Sequence, residues 1–255
     1  MDKSLDIGSV IGETFNVIGR KFVDLALLGV VIVGVPTLLV TFFSSQAMER
    51  SIEQGALSLN FSFGLLLSNI LYAFFPFVLQ AAVVHTTVTS LSRGQSDFGS
   101  AIGTALRAFL PLLIVSILMS IGLAIGFLLL IIPGLILLTV WAVVVPSLVI
   151  DKAGIFGSFS RSADLTRGSR WRIFGLILIG YVGLFIFTAL FSFFVVGAGG
   201  MMAAGGGLNL TSLLLGAVLD TAIAIGGAVA VSVLYVHVRE LKEGTRLDAV
   251  GDVFS

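Results

Sequence analysis

Apolar residues arrive in this chain in runs too long for a fold surrounded by water. The runs 22–43, 61–90, 109–132, 173–196 and 211–236 each offer about twenty or more residues, the length a helix needs to cross a bilayer core of about 30 Å. Asp24 and Asp220 are the only formal charges in them. Backbone amides cannot be left unpaired in hydrocarbon, so each run is expected to be a helix. A sixth run, 135–150, is about 16 residues long and near the lower limit. It is read as a fourth span because only then do the flanking charges fall on one side. The expected fold is therefore all-α, a polytopic bundle of six transmembrane helices in one integral domain covering 1–255, with a polar tail at 237–255. Composition agrees: 57% of residues are hydrophobic and 11% charged, against about a quarter charged in soluble domains.

Lys and Arg set the orientation. With six spans, 13 of the 14 basic residues collect on one side, and Arg50 alone lies on the other. Both termini are then expected in the cytoplasm, in a bacterial inner membrane. The first run is a span rather than a signal peptide, since 22 residues exceed a signal's apolar region of about 7–15 and the segment before it is acidic and long. A link between spans three and four, 131–134, has no charge and is expected to turn inside the apolar zone, shielded by neighbouring helices.

Between the spans lie short segments of mixed polarity. Reading Asp6 as an N-cap places Ile7, Val10, Ile11, Phe15 and Ile18 on one stripe of an interfacial helix. Ile7-Gly8-Ser9, Phe98-Gly99-Ser100 and Phe156-Gly157-Ser158 open three such segments, each ending in a basic residue and an aromatic. That points to three units, each an interfacial helix plus a membrane hairpin, or to chance likeness among Gly- and Ser-rich segments. The third segment sits in the largest polar island, 151–172. There Ile155, Phe156, Phe159 and Ala163 form a stripe able to dip among headgroups, with Gly168 as the stop. Arg161, Arg167, Arg170 and Arg172 beside Trp171 form a candidate site for anionic lipid headgroups, or ordinary basic anchoring.

Charge inside a membrane is costly, which singles out Asp220. It lies with Gly216, Ala224, Ala228 and Ser232 on a small-residue ridge, roughly 24 Å from the basic end at 1.5 Å per residue. Counting depth from the same side brings Tyr72 and Thr188 level with it and Asn69 slightly beyond. A packing aspartate and a proton or solute path are both compatible with this position. His85 is too shallow to reach Asp220 and is expected among backbone or headgroup partners. Asp24 pairs with Lys21 or Arg20. His237 opens the tail and is expected to be solvated.

Enzyme signatures are missing from the sequence. There is no Cys, no H-E-x-x-H, no G-x-S-x-G and no Walker loop, so neither catalytic residues, a metal nor a cofactor is expected. The Gly-rich stretch 197–207 reads as a flexible linker in the outer loop. Zero formal net charge gives no reason to expect a nucleic-acid partner.

Ile132-Pro133-Gly134, Pro146, Arg161-Ser162, Leu165, Gly168, Trp171-Arg172 and Phe174-Gly175 resemble the membrane-domain family found attached to some bacterial glycerophosphoryl diester phosphodiesterases and also as free-standing inner-membrane proteins. Ile11-Gly12-Glu13-Thr14-Phe15 resembles that family's opening helix more loosely. The family often has Glu where this chain has Asp151, and Ala-Leu where it has Phe159-Ser160. Where the two are fused, the phosphodiesterase is a separate soluble domain, so the resemblance implies a non-catalytic membrane protein. The expectation is a role in membrane organisation, lipid binding or support of a partner. Its alternative is a small transporter or channel using Asp220. Membrane lipids, anionic phospholipid among them, are the expected partners, and a membrane-protein partner or a second copy of the chain is left open.

Overall fold

The computed structural model describes residues 5–53, 59–93, 98–199 and 210–244. Among them the chain is helical throughout, with no strand, and six segments are long and apolar enough to cross a membrane: Phe22–Ala47, Ser68–Leu91, Phe109–Leu129, Ile131–Val149, Arg170–Phe193 and Leu213–Glu243. The protein is thus a multi-pass, all-α bundle. Lys3, Arg246, the rest of the tail beyond Gly244 and the linker from Gly200 to Gly207 lie outside the described residues.

Helix α1 (Ile7–Arg20) begins where Asp6 Oδ1 accepts the Gly8 N–H at 3.0 Å. Span one follows as α2 (Phe22–Gly29), a π-helical turn (Val30–Gly34) and α3 (Val35–Glu53). The wide turn comes just before Pro36, whose missing N–H cannot bond Ile32, and Thr37 Oγ1 donates to the carbonyl of Val33 at 2.8 Å. Span two is α4 (Leu59–Arg93), with Pro76 in its interior. After α5 (Phe98–Arg107) come α6 (Phe109–Leu129), α7 (Ile131–Val140) and α8 (Val144–Val149). Pro111, Pro133 and Pro146 each sit third in their helix, where no N–H is needed. The chain closes with α9 (Ile155–Thr166), α10 (Arg170–Gly199) and α11 (Leu210–Glu243).

Spans one, two and six form the centre, and the ends bearing α1, α5 and α9 are the packed ends. Span two is buried at Val78, Leu79 and 81–88, and span six at Val229, 232–236 and Val238. Toward the opposite end the helices bare their side chains. Ile117, Ile121 and Ile125 are 44–53% exposed, and span five has no buried residue from Phe174 to Phe193. Such a surface is stable only in hydrocarbon.

Four expectations need correction. The reversal between spans three and four occupies Leu130 alone, and α7 already begins at Ile131, because Pro133 fits a first helical turn. That tip is bare, with residues 128–132 at 67–86% exposure, so neighbouring helices do not shield it. Span four is longer than 135–150 but broken at 141–143. Span six runs on to Glu243, which places His237 on a helix packed against α1 rather than in a solvated tail.

Spans three and four lie close because glycine permits it. A Cβ on Gly122 would sit 2.4 Å from the Trp141 indole, and one on Gly134 2.5 Å from the Phe127 ring. Gly122→Val is therefore expected to destabilise the hairpin by about 1–3 kcal/mol, read as thermal unfolding in detergent.

Candidate functional site

The basic end of the bundle carries a closed ionic lattice. Asp151, just past α8, has its side chain only 9% exposed and receives three donors. Tyr235 Oη donates to Oδ1 at 2.8 Å, Arg161 Nε to Oδ2 at 3.0 Å, and Arg239 Nη1 lies 3.2 Å from Oδ1. Arg239 Nε also donates to Glu243 Oε2 at 2.9 Å, and Arg161 Nη2 pairs with Glu243 Oε1. Two cations meet two anions and a fully buried phenol, so the charges cancel. Burial opposes the charge on Arg161, but its bonds to Glu243 and Asp151 outweigh this and hold the guanidinium above its ordinary range. This arrangement fastens α9 and the α8 end to span six. Arg161 is occupied there, which separates it from the other arginines of the candidate headgroup site.

Helix α9 turns its polar face inward. Ser158, Ser162 and Thr166 are 0% exposed, whereas Phe156 is 79% exposed. The expected stripe of Ile155, Phe156, Phe159 and Ala163 thus does not act as one: Phe159 packs edge-on to Trp141 at 5.1 Å, while Phe156 points away. Helix α1 shares only the outward aromatic: Phe15 is 70% exposed, while Val10 and Val17 are buried with Thr14. An interfacial helix has protein on one side and lipid on the other, so its apolar residues need not face the protein. Ser162 has a particular task. Its Oγ donates to the Val140 carbonyl at 2.7 Å and accepts the Val143 N–H at 3.3 Å, supplying partners where span four is broken. Pro146, which has no N–H to bond the Ala142 carbonyl, accounts for the break from within the run 135–150, and Ser162 was legible only as part of the Arg161-Ser162 pair.

The remaining arginines differ in freedom. Arg170 Nη2 donates to the Ala163 carbonyl at 3.4 Å, and Arg172 Nη1 donates to the Leu5 carbonyl at 3.2 Å. Arg167 and Arg172 are exposed, and Trp171 between them is 86% exposed. Gly168, at φ +91°, makes the left-handed turn that sets Arg167 and Arg170 on either side of it. On the other interfacial helices, Arg20 and Arg107 are also exposed, near Phe15 and Leu106.

Far from the basic end, the 41% exposed Tyr72 donates its Oη to Asp220 Oδ2 at 2.7 Å. Depth counting had placed these two side by side. Pro76 adds a local defect, because it cannot give Tyr72 its helical N–H partner. Thr188 does not join them: its hydroxyl donates to Leu184 and Phe185 on its own helix, and span five packs through its basic end instead. Asn69 is exposed, one turn above Tyr72. His85 is 5% exposed within the core of span two, out of headgroup reach. Lys21 Nζ lies 3.9 Å from Asp24 Oδ2. Asp220→Asn keeps an acceptor for Tyr72 and is expected to change stability by less than about 1 kcal/mol; Asp220→Leu, which removes it, is expected to cost more in the same melt.

No group of three His, Asp or Glu converges as metal ligands among the described residues. No curated protein and no solved structure matches this chain. A family model does match residues 64–238, from span two to the end of span six. By that match the chain belongs to the family defined by the domain of unknown function DUF7847.

Proposed function

We propose that this protein is a non-catalytic integral protein of a bacterial inner membrane, both termini cytoplasmic, that holds anionic phospholipid at its basic end in support of membrane organisation or of a partner protein. The observation that carries the proposal is the grouping of Trp171, 86% exposed, with exposed Arg167 and Arg172. Indole rings favour the headgroup level, and guanidinium forks suit phosphate oxygens. The resemblance to membrane domains that accompany a separate phosphodiesterase supports a supporting role rather than catalysis. Span five, exposed at most positions from Leu178 to Phe193, leaves room for a partner helix or a second copy.

Trp141 and Trp171 are the only tryptophans, so Trp141→Phe leaves Trp171 as sole reporter. In nanodiscs, brominated phosphatidylglycerol should quench its emission more than brominated phosphatidylcholine at equal mole fraction. Replacing Arg167, Arg170 and Arg172 by Gln should erase that difference. Equal quenching by both lipids before substitution contradicts the proposal.

The Tyr72–Asp220 bond favours a second reading, a small transporter or channel. It requires Asp220→Asn to abolish solute-coupled proton flux in liposomes, whereas the lipid-binding reading expects no flux in either form.

A further inference from the structure

An apolar groove of about 360 Å³ runs between spans one and six, walled by Phe22, Ala26 and Leu38 on one side and Ala217, Ala222 and Gly226 on the other. From Phe22 to Leu38 it follows roughly 24 Å of helix. That volume over that length makes a furrow one hydrocarbon chain wide, too narrow for the ~10 Å diameter of another helix. Thr221 is the one hydroxyl in the lining, and it donates to the Ala217 carbonyl of its own helix at 2.7 Å. A polar solute would therefore find only the acceptor side of that one hydroxyl among the side chains of the groove.

Two further features bear on the occupant. The π-helical turn Val30–Gly34 lies along the groove's span-one wall, and such turns recur at functional sites. It begins about 12 Å beyond Phe22, close to the middle of a ~30 Å bilayer core. At the Phe22 end the groove opens at headgroup level beside exposed Arg20 and the Lys21–Asp24 pair. Cations stand at the mouth and hydrocarbon lines the shaft, as in a phospholipid turned the other way round.

We propose that this groove is a binding site for one acyl chain of an anionic phospholipid from the leaflet at the basic end, its phosphate at Arg20 and Lys21 and its chain end at the π-helical turn. The site deepens the lipid-holding reading but is separate from the Trp171 cluster.

The test uses phosphatidylglycerol carrying a photoreactive diazirine on one acyl chain, reconstituted with the full protein, and locates the crosslinks by mass spectrometry. Crosslinks concentrated in residues 22–34 and 221–226 are the expected result. Ala222→Phe with Gly226→Phe fills the groove and should lower those crosslinks about ten-fold, the effect of losing contact with roughly two methylenes. Crosslinks spread evenly over all exposed spans in the unaltered protein overturn the site, and this result needs no variant to fold. Groove labelling that survives the filled variant overturns it too. The Arg167, Arg170 and Arg172 to Gln variant should leave groove labelling unchanged. Absence of selective Trp171 quenching in the unaltered protein, with intact groove labelling, removes the proposed headgroup cluster alone.

Discussion

Asp151→Ala is expected to be the most damaging single substitution in the basic end, at about 3–5 kcal/mol of stability. The carboxylate holds Arg161, Arg239 and the Tyr235 hydroxyl together, and its removal leaves two guanidinium groups facing each other with Glu243 as their shared counter-charge. Tyr235→Phe should cost less, about 1–3 kcal/mol, because it removes two hydrogen bonds, one donated to Asp151 and one accepted from Arg239, and no charge. Thermal unfolding followed by size-exclusion fluorescence in one detergent measures both. If Asp151→Ala melts with the wild type, the lattice is decoration rather than a fastening.

The second large effect is expected at Ser162. Replacing it with Ala strands the Val140 carbonyl and the Val143 N–H in a buried place, at about 1–3 kcal/mol for each group. Ser158→Ala is the control. Its hydroxyl only donates back to Ile155 on the same helix, so a change under about 1 kcal/mol is expected there. Equal losses at the two serines would mean that their burial matters and the splice does not.

These two positions show what the residues disclosed on their own and what they withheld. Hydropathy gave six spans because bilayer thickness fixes helix length, and the crowding of Lys and Arg followed once the spans were placed. Depth counting also brought Tyr72 to Asp220, since each lies on one continuous helix rising about 1.5 Å per residue. It failed for Thr188, because shared depth says nothing about which helices touch. The inward polar face of α9 and the outward Phe15 of α1 were hidden for a different reason: stripe reasoning assumes water opposite the protein, and at a membrane surface lipid takes that place. Local defects were equally hard to see. Pro36 and Pro146 each lack the N–H of a helical turn, a signal left unused in reading the spans, and only the packing showed a π-helical turn beside a groove at the first and a break completed by Ser162 before the second. The basic cluster read as a single headgroup site divides in the same way, with Arg161 consumed by carboxylates and Arg170 and Arg172 partly tied to carbonyls.

That division decides how the central proposal is best examined. Native mass spectrometry of the detergent-purified protein should be run on the wild type, on Arg167→Gln alone, and on the variant with Arg167, Arg170 and Arg172 all changed to Gln. The single variant leaves the bonds to Ala163 and Leu5 in place, which separates lost lipid from lost structure. The account predicts retained anionic phospholipid in the wild type, less in the single variant and little in the triple one. Retention of no particular lipid by any of the three, or equal retention by all, would contradict it.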